Sequence, residues 1–211
     1  MLTKEKIIND LLKNKAIFLN VKNPFTWASG IKSPIYCDLR TINSFPVLRN
    51  FIENKMVEMI KEKYPTVDYI VGTSTAGISH AAIISYKMKL PMAYVRSSAK
   101  DHGRKKNIEG VIPANAKIVV IEDLMSTGKS SLEVVNILQS ENYNVLGIAS
   151  IFNYNLQIAK DNLKNNKIIN HSLASFNDLI TRALKIKYIS KDEYDRLKIF
   201  QSNPQDDKWT K

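Results

Sequence analysis

Apolar positions recur along this chain with two different periods. In residues 3–15, Ile7, Ile8, Leu11 and Leu12 fall at helical spacing. In 46–63, Leu48, Phe51, Ile52, Met56, Met59 and Ile60 share one helical face. Between them, AIFLN (16–20) and SPIYCDLR (33–40) read as short extended segments around the turn-rich run NPFTWASG. From residue 68 the pattern alternates. Strands are predicted at DYIVG (68–72), PMAYVR (91–96), KIVVIED (117–123) and NVLGIASIF (144–152), with helices over 77–89, 130–141 and 155–164 and an edge strand at IINHSLASF.

Strands alternating with helices of this length predict an α/β fold, with a mostly parallel central sheet flanked by helices and joined by right-handed crossovers. The 211 residues suit a single domain spanning 1–211. One interval breaks the rhythm: 97–112, SSAKDHGRKKNIEGVI, joins two strands without helical periodicity, as a lid or a disordered segment would. The polar tail from Pro204 to Lys211 is expected to fray.

Composition narrows the function classes modestly. With 44% apolar and 24% charged residues, the chain has the makings of a globular core. No stretch approaches the roughly 18 apolar residues of a membrane span, and the first ten residues lack a signal-type apolar run. One cysteine, Cys37, excludes an intramolecular disulfide and fits a cytoplasmic location. The net charge of +11 is dispersed among acids, so it implies a solvated surface before it implies nucleic acid.

The chemistry concentrates in VVIEDLMSTGKSS (119–131). A loop after a buried parallel strand lies at the carboxyl end of the sheet, where such folds bind ligands. Backbone N–H groups in a glycine turn ahead of a helix form an anion nest, to which Ser126, Thr127, Ser130 and Ser131 add hydroxyls. A plain helix cap would also use Ser and Thr here. A nucleotide P-loop needs a glycine five residues before Gly128, and Asp123 stands there instead. Acids repel phosphate, so Glu122 and Asp123 make sense beside a ligand that also carries hydroxyls, such as a sugar phosphate.

This combination of β-branched strand, two acids and hydroxyl–Thr–Gly–x–Ser resembles the signature of the type I phosphoribosyltransferases, which bind phosphoribosyl pyrophosphate (PRPP). The resemblance implies that Glu122 and Asp123 bind the ribose hydroxyls and that Leu124, Met125, Ser126, Thr127, Gly128, Lys129 and Ser130 surround the 5′-phosphate. Thr73, Ser74, Thr75, Ala76 and Gly77 match the family's pyrophosphate loop, with Ala76 where its best-known branch has a lysine. The run FTWASGIKSPIYCDLR (25–40) resembles the amino-terminal hood of the orotate phosphoribosyltransferase family, so residues 16–43 become a small N-terminal hood over the base. By that resemblance Tyr36 stacks on orotate, and Lys32, Ser126 and Tyr154 complete the base site. Tyr154 takes the place of a family arginine, and Ala28 and Cys37 also depart from the pattern. Phe25 and Trp27 read as core, and Cys37 as a packing residue rather than a nucleophile.

The segment YVRSSAKDHGRKKNIEG (94–110) resembles the family's mobile catalytic loop. Arg96, Lys100 and His102 match positions that meet pyrophosphate, while Ser97 replaces a lysine found in some members. Four cations and one acid, Lys100, Asp101, Arg104, Lys105 and Lys106, sum to +3 and suit a polyanion. The resemblance implies a homodimer in which this loop serves the neighbouring subunit, with Lys100, His102 and Asp123 as catalytic groups. It also implies Mg²⁺ held mainly by substrate and water, substrates orotate and PRPP, and no nucleic-acid or membrane partner. His80 and His171 carry no partner signal and read as structural. The rival readings are a phosphoribosyltransferase for another base, and a PRPP-sensing regulator of the same fold.

Overall fold

A computed structural model describes residues 3–26, 30, 32–96 and 107–210. Helix α1 (Thr3–Lys13) leads into the antiparallel pair β1 (Ile17–Leu19) and β4 (Ile35–Cys37), which encloses a second small ribbon, β2 (Phe25–Thr26) with β3 (Lys32–Ser33). Helix α2 (Pro46–Lys63) starts with proline, whose missing N–H costs nothing in a first turn. Then follow β5 (Tyr69–Thr73), α3 (Ala76–Met88), β6 (Met92–Val95), β7 (Ile108–Glu109), β8 (Lys117–Met125), α4 (Lys129–Ser140), β9 (Asn144–Asn153), α5 (Gln157–Asn165), β10 (Asn170–Ser175), α6 (Phe176–Lys185) and α7 (Lys191–Ser202).

Among the described residues the main sheet has the order β10-β9-β8-β5-β6-β7, parallel except for β7 on β6. Helices cover both faces, so β8 is apolar throughout its middle. Val119 and Ile121 enter one core, which α1, α2, α3, α6 and α7 share. Ile118 and Val120 enter the other, against α4. That two-sided burial is why KIVVIED reads as a continuous apolar run. After β5 the chain winds towards β6, and after β8 it winds the opposite way, towards β9. The carboxyl ends of β5 and β8 therefore flank the point where winding reverses, and their loops part there to leave a crevice.

Several expectations need correction. Residues 39–44 form a 3₁₀ helix rather than more strand, because Asp38 caps Arg40. The interval 97–112 contains a two-residue strand, β7, which closes the sheet edge. The helices α6 and α7 were not among the predicted elements; α6 buries Phe176, Leu179, Ile180 and Ala183 on one face, and each helix opens with a capping box, Ser175/Asp178 and Ser190/Glu193. The tail does not fray through residue 210. Trp209 is 1% exposed, its ring 5.4 Å from that of Phe200, and Arg196 Nε donates to its carbonyl at 2.7 Å. His80 also has a partner: it is fully buried with Glu53, Nδ1 against Oε1, where α3 packs on α2. Burial raises the pKa of Glu53, and the imidazole opposes that shift.

Candidate active site

The two segments expected to bind phosphates emerge side by side at this crevice. The first runs from Thr73, the last residue of β5, to Gly77 in the first turn of α3. Its Ser74–Thr75 peptide is cis, and the Ser74 N–H donates to Val95 O of β6 at 3.2 Å. Gly77 is obligatory for space: a Cβ would lie 2.4 Å from Ile121 O and 2.5 Å from Thr73 Oγ1. The turn is thus pressed directly on β8.

The second segment follows β8. Gly128 has φ +77°, a left-handed conformation that glycine adopts freely, and it caps the N-terminus of α4. Ser126 and Thr127 are half-buried, and Lys129 and Ser130 are exposed. Asn162 from α5 donates to Thr127 O at 3.0 Å and fixes the turn. Met125 is fully buried, so it offers the crevice backbone only. Helix N-terminus, glycine turn and hydroxyls lie together there, the kind of group that can hold an anion.

The two acids differ in environment. Asp123 is half-buried, and its Oδ1 accepts from the Leu124 N–H at 2.7 Å. Glu122 is 6% exposed, and both its oxygens have protein donors: Thr73 Oγ1 at 2.9 Å and the Asp123 N–H at 3.1 Å on Oε1, and Ser131 Oγ at 2.7 Å on Oε2. Burial, helped by the charge of Asp123, pushes its pKa up to about 7 against the Ser131 and Thr73 hydrogen bonds. Glu122 is thus the more buried of the two acids and Asp123 the more exposed.

The hood supplies an aromatic surface. Tyr36 is 41% exposed, and its ring lies 5.6 Å from Phe25 and 6.3 Å from Phe18. Phe25 is half-buried in this cluster rather than in the main core. Burial raises the Cys37 thiol well above its usual pKa, with the charges of Asp123 and Asp38 adding to it, which agrees with a protonated packing residue. Tyr154 is placed differently from its expectation: it is 3% exposed, edge-on to Phe152 and Phe176, with its pKa raised first by burial. Its ring is core, so it offers orotate no open surface. Lys32 is exposed and lines a surface groove with Asp206 and Trp209. Arg96, at the end of β6, donates to Glu109 Oε1 of β7 at 3.4 Å. Trp27, Ala28, Ser97, Lys100 and His102 lie outside the described residues.

Sequence reasoning passed over Arg40, and it named Thr73 and Ser131 as phosphate groups without their link to Glu122. Ser131 and Thr73 matter through Glu122, which no local pattern could reveal. Arg40 is exposed but held by Asp38, and the charge of Asp123 reaches it. A cation two residues beyond an acid on a turn was the available signal. Among the described residues no group of three or more His, Cys, Asp or Glu could hold a metal ion, and no helix is long and apolar enough to cross a membrane.

Comparison with known proteins agrees with this geometry. Residues 49–177 match the phosphoribosyl transferase domain family. The orotate phosphoribosyltransferase of Listeria innocua is 46% identical over 97% of this chain and 98% of its own length. That of Cytophaga hutchinsonii is 46% identical over 99% of each. In three dimensions the chain is similar to the orotate phosphoribosyltransferase of Aeropyrum pernix, with a TM-score of 0.75 at 23% identity, covering 87% of this chain and 99% of that one. With the domain model over more than half its length and such relatives across nearly all of it, the chain belongs to the orotate phosphoribosyltransferase family.

Proposed function

We infer that this crevice transfers the phosphoribosyl group of PRPP to orotate, giving orotidine 5′-monophosphate and pyrophosphate in pyrimidine biosynthesis. The observation that carries the reading is the pairing of an anion cradle after β8 with a tight second loop after β5, with Asp123 between them. A ligand with two phosphate ends and a hydroxylated middle fits that spacing of chemistry.

In the reaction, N1 of orotate bonds to ribose C1 as the C1–O bond to pyrophosphate breaks. The leaving oxygen keeps the electron pair, and the N1 proton passes to the departing pyrophosphate or to water. Orotate is already anionic, so positioning and charge neutralisation dominate over strong base catalysis. The transition state has oxocarbenium character, as in glycoside hydrolysis. Asp123 accepts from the ribose diol, the α4 N-terminus and residues 126–130 hold the 5′-phosphate, and Thr73–Gly77 with Arg96 meet the pyrophosphate. Tyr36 covers the base. Arg40 supplies the cation for the orotate carboxylate, since the position directly after β9 holds Tyr154 rather than an arginine and Tyr154 is buried.

An Mg²⁺ would be carried in by the phosphates and keep several waters, with no cluster of three or more His, Cys, Asp or Glu among the described residues placed to cage it. When bound, that ion supplies positive charge to the diphosphate. Lys100 and His102 act from the 97–112 loop, contributed by the partner in a homodimer, and closure excludes water. Turnover of orotate with PRPP and Mg²⁺, beside uracil and hypoxanthine, tests the reading. Preference for either control base would identify a different transferase, and PRPP binding without turnover would identify a regulator.

A further inference from the structure

We propose that Glu109 is a positioning residue for pyrophosphate: it holds the Arg96 guanidinium and yields it to the diphosphate when ligand binds. The proposal rests on the reading of the crevice as a PRPP site and deepens it. Arg96 directly follows β6, and its backbone N–H donates to Asn107 O at 2.8 Å. Val95, the residue before it, is tied to the pyrophosphate loop, because its carbonyl accepts from both the N–H and the hydroxyl of Ser74. The backbone at Arg96 is therefore held on two sides, and its side chain is the part left to move.

In the β6–β7 ladder Tyr94 stands opposite Glu109 and Val95 opposite Ile108, so Arg96 and Glu109 are diagonal neighbours on one face. Arg96 Nη1 and Glu109 Oε1 are 3.4 Å apart, at the long end for a hydrogen bond. Their side chains are 30% and 32% exposed. A long, partly solvated ion pair adds little to stability, so it breaks at small cost. A guanidinium binds phosphate through two parallel N–H bonds, and a diphosphate presents more acceptor oxygens than one carboxylate. Ligand binding thus exchanges one acceptor for a better one, and departure of pyrophosphate returns Arg96 to Glu109. A competitor of this kind weakens diphosphate binding, so its removal tightens binding. A group that merely oriented Arg96 would have the opposite effect.

A double-mutant cycle read by calorimetry with magnesium pyrophosphate tests this. Titration of PRPP into the wild-type chain comes first, since failure to bind it would overturn the PRPP reading itself. Arg96→Gln is expected to weaken magnesium pyrophosphate about tenfold, from the loss of a charge-assisted bond. Glu109→Gln, nearly isosteric, is expected to tighten it about three- to fivefold, the equivalent of an exposed ion pair no longer broken on binding. Inhibition of turnover by pyrophosphate should deepen by the same factor. In the Arg96→Gln background, Glu109→Gln should change affinity by less than about 1.5-fold, because the pair is already gone. Tightening that persists in that background means that Glu109 acts through its charge on the ligand and not through Arg96, which overturns the proposal. Weaker binding in Glu109→Gln alone also overturns it, by making Glu109 an aid to Arg96. So does a lowered Tm with unchanged affinity, which is what a purely structural role gives. Should Glu109→Gln not fold, Glu109→Ala decides by the same comparison.

Discussion

Arg40 is held in a two-pronged grip by Asp38, with Nε on Oδ1 at 2.7 Å and Nη2 on Oδ2 at 2.8 Å. The pair lowers the pKa of the carboxyl and raises that of the guanidinium, and it keeps the cation beside Tyr36 rather than loose in solvent. Arginine is suited to this because its planar fork can bind one carboxylate while presenting another edge.

For that reason Arg40→Ala should raise the KM for orotate by about 5- to 30-fold, equivalent to roughly 1–2 kcal/mol for a partly solvated charge-assisted bond. The KM for PRPP should stay within about twofold. Steady-state kinetics with each substrate varied in turn checks this, and an unchanged orotate KM removes Arg40 from the base site.

Asp123→Asn should keep the fold and weaken PRPP use by about 1–3 kcal/mol, the contribution of a charge-assisted hydrogen bond to the diol. Wild-type affinity for PRPP in this variant would sink the ribose assignment.

The buried carboxyl of Glu122 has a signature in stability against pH. Its folded pKa of about 7 stands above the ordinary 4.5, so the folded state holds a proton that the unfolded chain releases. The resulting stabilisation is complete below about pH 4.5 and is lost as pH rises through about 7, to the extent of roughly 3 kcal/mol for a shift of this size. Urea unfolding should show stability falling between pH 5 and pH 7 in the wild type. Glu122→Gln should flatten that slope, and an equal slope in both proteins would assign it to other groups.

Trp209 anchors the end of the described chain against Phe200. Trp209→Ala should destabilise the fold by about 3–5 kcal/mol, as large-to-small changes at buried aromatics do. A loss under about 1 kcal/mol, measured by denaturant titration, would mean that the segment detaches at little cost.

If the 97–112 loop works across a dimer, Lys100→Ala and Asp123→Asn impair different halves of a shared site. Random subunit exchange between the two defective variants should raise activity above that of either alone, towards about a quarter of wild type, because half the dimers carry one intact site of two. No rise, with exchange confirmed by mass spectrometry, means that the loop serves its own subunit.

Much of this architecture was legible because burial on both sheet faces writes itself into sequence. β8 and α2 show it: one is a β-branched apolar run, and the other keeps Leu48, Ile52, Met56 and Ile60 on its buried face. The anion cradle was legible too, since Gly128 and its hydroxyl neighbours are contiguous. What stayed hidden depends on contacts between distant residues. Nothing near Glu53 announces His80, 27 positions on, and nothing near Glu122 announces Thr73, 49 positions back. Helices α6 and α7 went unread although each opens with a capping box and α6 carries Phe176, Leu179, Ile180 and Ala183 at helical spacing, because the apolar run read as an edge strand ends inside α6 at Phe176. Tyr154 was assigned by its place in a pattern, whereas its ring follows the apolar neighbours Phe152 and Phe176.

The strand pair at the edge of the sheet also sets a tether length. Arg96 N–H donates to Asn107 O at 2.8 Å, so the two ends of the intervening segment are pinned together at one post. Residues 97–106 must go out and come back from that post. Five residues each way, at no more than about 3.3–3.6 Å apiece, give a reach of roughly 17 Å. Any crevice that Lys100 or His102 serves must therefore open within that radius of the β6–β7 edge. For a loop acting between subunits, this bounds how the two copies can be docked: each β6–β7 edge has to face the other copy's Asp123 across less than about two nanometres.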